Sequence, residues 1–353
     1  MILPVTYLSA LLLLVVSMIC WGSWANTFKL TGEKWRFEFF SYDFAIGLLL
    51  GALIAAYTFG TLGSELMFSD RLIIAGKKAE MYVFVGGVVF TLANMLLMAA
   101  ISLAGMAVAF PIGIGLALII GVLANYVINP QGNPILLFAG VALVVVAILL
   151  DSAAHRARDR SLKAAEPELP AKDPKTGKTL KGPKRKSAVR GIVISLFSGF
   201  LMGAFYPLVA EGMMGELGLG AYASAIIFGI GVLVATFFFN IYFFNLPVTG
   251  ERIQATQYLR GTLKQHLLGI LGGMIWSAGA ISNFAAATAP VNVGPAISLG
   301  IGQCATLISV LWGLLVWKEF AGSPSSVKRT LALMMVFFAA GLALLSLAPI
   351  VKF

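Results

Sequence analysis

Charge is scarce in this chain. Only 11% of its 353 residues are Asp, Glu, Lys or Arg, against roughly 25% in soluble domains. Water therefore cannot be the only solvent the fold meets. Cysteine is scarcer still: Cys20 and Cys304 both fall inside apolar runs, which argues against a disulfide framework or a zinc site. The two histidines, His155 and His266, lie in basic stretches with no His/Asp/Glu cluster nearby. No metal, no cofactor and no membrane-embedded catalytic set is expected from such an inventory.

Apolar residues and glycine are what the chain has in excess, at 59% and 38 residues. Small residues let membrane helices approach closely. A spanning helix needs about 20 mainly apolar residues. Ten windows qualify, at 6–28, 39–60, 81–102, 105–127, 134–152, 190–210, 220–245, 265–288, 293–316 and 330–350. The spacing predicts an all-α integral membrane protein of ten transmembrane helices. The links 103–105, 129–133 and 289–292 have room only for tight helical hairpins, which Pro130, Pro134 and Pro290 suit. Met1 to Tyr7 carries no positive charge and no small-residue cleavage site, so it reads as the lead into a retained span.

The net charge of +10 is concentrated: twelve of the 25 Lys and Arg residues lie between Arg156 and Arg190. A basic segment beside apolar spans marks the cytoplasmic side and touches lipid headgroups; nucleic acid is not an expected partner. With the N-terminus outside, only Arg71, Lys77, Lys78 and Lys352 face out. The positive-inside rule then predicts both termini outside and the central loop in the cytoplasm; the membrane expected is a bacterial-type inner membrane. That loop, 153–189, is rich in Lys, Pro, Ala and Glu, a composition that cannot bury a core. Its Gly177-Lys178-Thr179 run lacks the earlier glycine of a phosphate-binding loop, position 172 being Lys.

The loop divides the chain into 1–152 and 190–353, with five spans each. Five is odd, so the halves must cross the membrane in opposite directions, as a 5+5 inverted repeat. Gly113-Ile114-Gly115 in span four and Gly300-Ile301-Gly302 in span nine are similar runs, with Asn94 and Asn283 at similar distances before them. Inverted repeats place a substrate near the midplane where the halves meet.

Ionisable residues at membrane depth are functional candidates by default. Asp43, one turn inside span two, is either half of a structural ion pair, with Lys29 as partner, or a proton-coupling group; Glu211 at the outer end of span six is a second coupling candidate. Asp151, ending span five, reads as lipid-facing or arginine-paired. Asn26, Asn94, Asn283, Gln303 and Thr306 form a neutral set inside spans. Each alone suits an interhelical hydrogen bond; together they suit a neutral ligand rich in donors and acceptors. Trp21, Tyr206 and Trp276 lie within spans and offer aromatic faces for stacking. Trp35, Trp317 and Tyr7 read as interface-belt residues. Pro111, Pro207 and Pro295 are candidate hinges or kinks.

Several stretches carry a family resemblance: Trp21-Gly22-Ser23-Trp24, Tyr42-Asp43, Thr58-Phe59-Gly60, Gly86-Gly87-Val88-Val89 with Asn94, Gly121 with Asn125-Tyr126, and Trp312-Gly313. In order and spacing they resemble the ureide permeases, within the drug/metabolite transporter superfamily (DMT/EamA-like) that also holds the glucose/ribose porters. The resemblance implies a 5+5 fold and uptake of allantoin, uracil and related heterocycles, typically with protons. This chain departs where plant members carry an acidic residue early in span four: it has Phe110. The fuller nucleotide-binding motif of the plant loop is also absent. The expectation is a secondary transporter of a small neutral polar metabolite, a ureide or nucleobase type, with sugar transport as the alternative. Its partners would be the substrate, protons and the bilayer, without an obligate protein partner. A channel would need a charged ring or filter-like motif, and none is evident.

Overall fold

The structure, a computed structural model, describes residues 1–32, 35–104, 106–165, 185–245, 254–291 and 293–351. Among these residues there are helices and turns and no β-strand. Among the described residues, ten helices are long and apolar enough to cross a membrane: Tyr7–Leu30, Phe37–Thr58, Lys77–Ile101, Val108–Ile128, Pro134–Ser161, Val189–Met213, Gly220–Asn245, Leu263–Ala287, Gly294–Val316 and Ser325–Leu347. They are called spans one to ten below. The protein is thus an all-α, multi-pass membrane protein, as the hydropathy pattern predicts.

One boundary differs. The helix of span five continues through Ala165 and that of span six begins at Arg185, so helix enters both ends of the stretch expected to be loop. Arg, Lys, Leu and Ala are good helix formers, and once a turn exists each further residue adds a bond at low cost. Residues 166–184, including Gly177-Lys178-Thr179, lie outside the described residues.

Contacts between the links sort the molecule into two sides. On one, Ile2 N–H donates to the Phe59 carbonyl at 2.9 Å, Gly76 N–H to Leu217 at 3.1 Å and Asn133 N–H to Ala348 at 2.7 Å. On the other, Lys29 meets Glu319 and Gln265 reaches the Thr31 carbonyl at 3.3 Å. Both ends of the described chain therefore share a side, and the segment between spans five and six leaves from the opposite one.

Glycines set the tightest helix pairs. Span two packs on span eight, and span three on span seven. A β-carbon on Gly47 would land on the Ile270 carbonyl, and one on Gly273 on the Phe44 carbonyl. At the other pair, Gly231 would meet the Phe84 carbonyl and Gly87 the Phe228 carbonyl. The register is the same in both: each glycine faces the residue three before its partner glycine. Spans five and ten cross with Gly140 and Gly341 each against the other's carbonyl. Span three also lies on span six and span one on span eight; span four lies on span six and span nine on span one.

Candidate functional site

Spans one and nine are not regular. Span one is interrupted at Trp24, where Thr27 N–H bonds the Trp24 carbonyl three residues back at 3.0 Å. Span nine is interrupted at Cys304, where Leu307 N–H bonds Cys304 in the same way at 2.9 Å. Span nine then closes with a π-turn over Trp312–Val316 and, just beyond it, Lys318 at φ 51°. That left-handed backbone is uncommon for a non-glycine residue. Tight and wide turns inside helices recur at functional sites. The two interruptions face each other, because Gly22 has no side chain and lies directly on the Ala305 carbonyl. Ser309 Oγ donates to the Gly22 carbonyl at 3.0 Å, and Trp312 Nε1 to Ser23 Oγ at 2.9 Å.

Beside this junction, spans one, four, five and nine enclose a cavity of about 230 Å³ that opens toward the central-segment side. Its walls are mainly apolar, and its polar groups include Asn26, Lys29, Asp151, His155, Thr306 and Glu319. Asn26 accepts from Trp317 Nε1 at 2.6 Å and donates to the Ser23 carbonyl at 2.9 Å, leaving one amide hydrogen. Lys29 pairs with Glu319 at 2.6 Å and sits 4.2 Å from the centre of the Trp317 ring. His155 Nδ1 bonds the Asp151 carbonyl at 3.1 Å; its 3.4 Å separation from Asp151 Oδ1 is ion-pair distance, not a second hydrogen bond. Phe110 and Pro111 form the span-four wall.

A second titratable group lies near the same side of spans two and eight. Asp43 is 2% exposed. It accepts from the Tyr258 hydroxyl at 2.6 Å and faces His266 Nδ1 at 2.9 Å. When Asp43 is ionised it only accepts, and Nδ1 of His266 is then the donor. Burial first, and then its hydrogen bond to Asp43, push the Tyr258 hydroxyl well above its usual range, so it remains a donor. Gly269 makes room for Asp43, since a β-carbon there would strike the Asp43 side chain.

At the bundle centre the aromatic residues pack on one another. Trp276 stacks on Trp21 at 5.7 Å and on Phe228 at 5.6 Å, with Phe90 at 4.6 Å. Tyr206 donates to Asn283 Oδ1, while Asn283 Nδ2 donates to the Ser298 carbonyl at 2.9 Å.

The expected residues therefore separate. Asn26 and Thr306 line the cavity. Trp21, Tyr206, Trp276 and Asn283 belong to the packed centre, with Tyr206 and Asn283 fully buried. Asn94 borders a void of about 30 Å³ with Trp24 and Phe40, room for a single water. Gln303 is half-buried beside the Cys304 turn, and Glu211 is exposed. Pro111 and Pro207 lie inside continuous helices, whereas Pro295 occupies the first turn of span nine, where its missing N–H breaks no bond.

Four readings need correction. Lys29 does not pair with Asp43: it pairs with Glu319, because span one's end lies against the link after span nine. Both histidines do face carboxylates, His266 across 223 residues of sequence and His155 one helical turn from Asp151. Asp151 lines the cavity, and so does Trp317, read above as an interface anchor. Glu319 and Tyr258 were missed; the uncommon backbone that delivers Glu319 leaves no trace in composition.

A bundle of ten helices long and apolar enough to cross a membrane, around a small, mainly apolar cavity edged by polar side chains and bounded by interrupted helices, defines a multi-pass membrane protein. Comparison with known proteins narrows that class. The family model described as ureide permease matches residues 40–184. Ureide permease 2 of Arabidopsis thaliana is 25% identical over 95% of this chain and 96% of its own length. Ureide permease 1 of the same plant is 25% identical, again over 95% and 96%, and Ureide permease 4 is 23% identical over 94% and 95%. The chain is thus similar to the ureide permeases along nearly its whole length. One crystal structure, 17% identical, superposes with a TM-score of 0.60 over 95% of this chain and 97% of the other, so the fold is shared.

Proposed function

We propose that the protein is a secondary transporter that moves a small, neutral, polar solute, a ureide or nucleobase-type heterocycle, by alternating access. The observation that carries the proposal is the meeting of two interrupted helices at the inner wall of the cavity. Transporters bind substrate at such discontinuous helices. The cavity is below the roughly 300–1,000 Å³ of sites for drug-sized ligands, which suits a small metabolite. Asn26, Thr306 and Glu319 offer donors and acceptors, and Trp317 an indole edge. Entry is from the central-segment side, which the basic-residue bias makes the cytoplasm. The stack of Trp21, Trp276 and Phe228 closes the far side, and separating it is the step that opens that side. Trp276, Asn94, Asn283, Gln303 and Tyr206 act in that closure rather than on bound solute in this state.

The alternation rests on a 5+5 repeat, which the glycine contacts support. The pair Gly47–Gly273 repeats in register as Gly231–Gly87, and Gly140–Gly341 is reciprocal. An exchange of first-half and second-half spans maps each pairing onto another. The register sets Asn94 opposite Ala280, nearly a turn from Asn283, so the two asparagines are not equivalent. Coupling to protons falls to Asp43 with His266, the most buried carboxylate set among the described residues.

The test is uptake into proteoliposomes, with thermal shift of the purified protein against allantoin, uracil and glucose. Allantoin or uracil should raise the melting temperature and show saturable uptake with counterflow; a response to glucose alone would replace the heterocycle with the sugar reading. Asn26→Ala and Thr306→Val should each abolish uptake while leaving folded yield unchanged. Normal kinetics in both variants would remove the cavity from the mechanism.

A further inference from the structure

Outside the cavity, on the surface between spans four and five, runs a groove of about 330 Å³. Its span-five side is one helical face: Leu149, Ser152, Ala153, Arg156, Ala157 and Arg160, spaced three or four apart. Ser152, Ala153 and Ala157 keep the floor low. From span four come Val108 and Ile112. Polarity changes along the groove. Leu149, 57% exposed, and Ile112 lie toward the membrane interior. Arg156 and Arg160, both exposed, lie toward the central-segment side. From Leu149 to Arg160 is about 16 Å at 1.5 Å per residue. No acidic side chain is among the described residues lining it.

We infer that this groove binds an anionic phospholipid, its headgroup phosphate held by Arg156 and Arg160 and an acyl chain laid against Leu149, Ile112 and Val108. Three observations meet here. Two guanidiniums a turn apart match a phosphate, for which their fork of donors is suited. The apolar end lies at membrane depth while the charged end lies where headgroups are. The floor of small residues gives a chain somewhere to lie that a plain helix surface lacks. Basic pockets between membrane helices bind lipid headgroups on general grounds; the paired apolar half selects a lipid over a free anion. The groove also shares Pro111 and Ser152 with the cavity, so the bound lipid backs the cavity wall.

The full chain, purified and delipidated, would be titrated with phosphatidylglycerol, phosphatidylcholine or inorganic phosphate while melting temperature is followed and bound lipid is counted by native mass spectrometry. Phosphatidylglycerol should raise the melting temperature by several degrees with one lipid retained; phosphatidylcholine should do markedly less and phosphate nothing. Arg156→Gln/Arg160→Gln should lose the shift. Lys328→Gln/Arg329→Gln, which removes equal charge from exposed positions at the start of span ten, should keep it. Ala153→Trp, which fills the groove and leaves both arginines, should lose it. Equal loss in the two charge variants would reduce the effect to diffuse electrostatics. A shift that survives Ala153→Trp, or that phosphate alone reproduces, would overturn the groove as a lipid site.

Discussion

Asp43 illustrates how one charge is kept inside an apolar helix. A carboxylate in hydrocarbon costs several kcal/mol, and this one is met by a hydroxyl from Tyr258 and a ring nitrogen from His266. Its unusual depth was legible in the sequence, but its partners were not: they come from beyond residue 250, and the nearer Lys29 was the natural guess. Asp43→Asn removes the charge that His266 faces. Accumulation driven by a pH gradient should be lost while exchange of solute persists; a variant that still accumulates solute would end the coupling role. Gly47 makes a second point at this scale. Gly47→Ala pushes a methyl into the Ile270 carbonyl, and overpacking of this kind costs about 1–3 kcal/mol. Its melting temperature should fall by several degrees, whereas Gly115→Ala, with open space around it, should leave melting unchanged.

Elements were legible unevenly. All ten spans follow from hydropathy, since length and apolarity alone decide whether a helix can cross. Where helices are interrupted did not follow. Prolines drew attention to spans four and six, yet those helices run through Pro111 and Pro207, and the interruptions fall at Trp24 and Cys304. No residue there forbids helix; tertiary contact at Gly22 and Gly302 decides it. The link after span nine depends on such contact too. Lys29 is 45% exposed and Glu319 30%, so their pair contributes under about 1 kcal/mol to stability. Lys29→Gln or Glu319→Gln should slow uptake at unchanged melting temperature, and the exchange Lys29→Glu/Glu319→Lys should recover much of the rate. Failure of the exchange, with both single variants slow, would mean that the charges act on the solute and not on each other.

For the whole molecule, the odd number of spans on each side of the basic segment already implied opposed halves, whereas which helices touch required coordinates. The sides follow: Ser64 lies with the ends of the described chain, and Ser326, exposed at the start of span ten, lies on the opposite side with the Lys29–Glu319 pair. In a background with Cys20 and Cys304 replaced, Ser64→Cys should react with a membrane-impermeant maleimide in intact cells, and Ser326→Cys only after lysis. The reverse pattern would invert the orientation and with it the direction of entry.

The close helix approaches at Gly47, Gly87 and Gly140 all join a residue before the basic segment to one after it. Neither five-helix portion keeps these seams by itself, and each would present bare glycine grooves to lipid. A gene severed within 166–184 should therefore yield fragments that are degraded when made singly and that reassemble into an active whole when co-expressed.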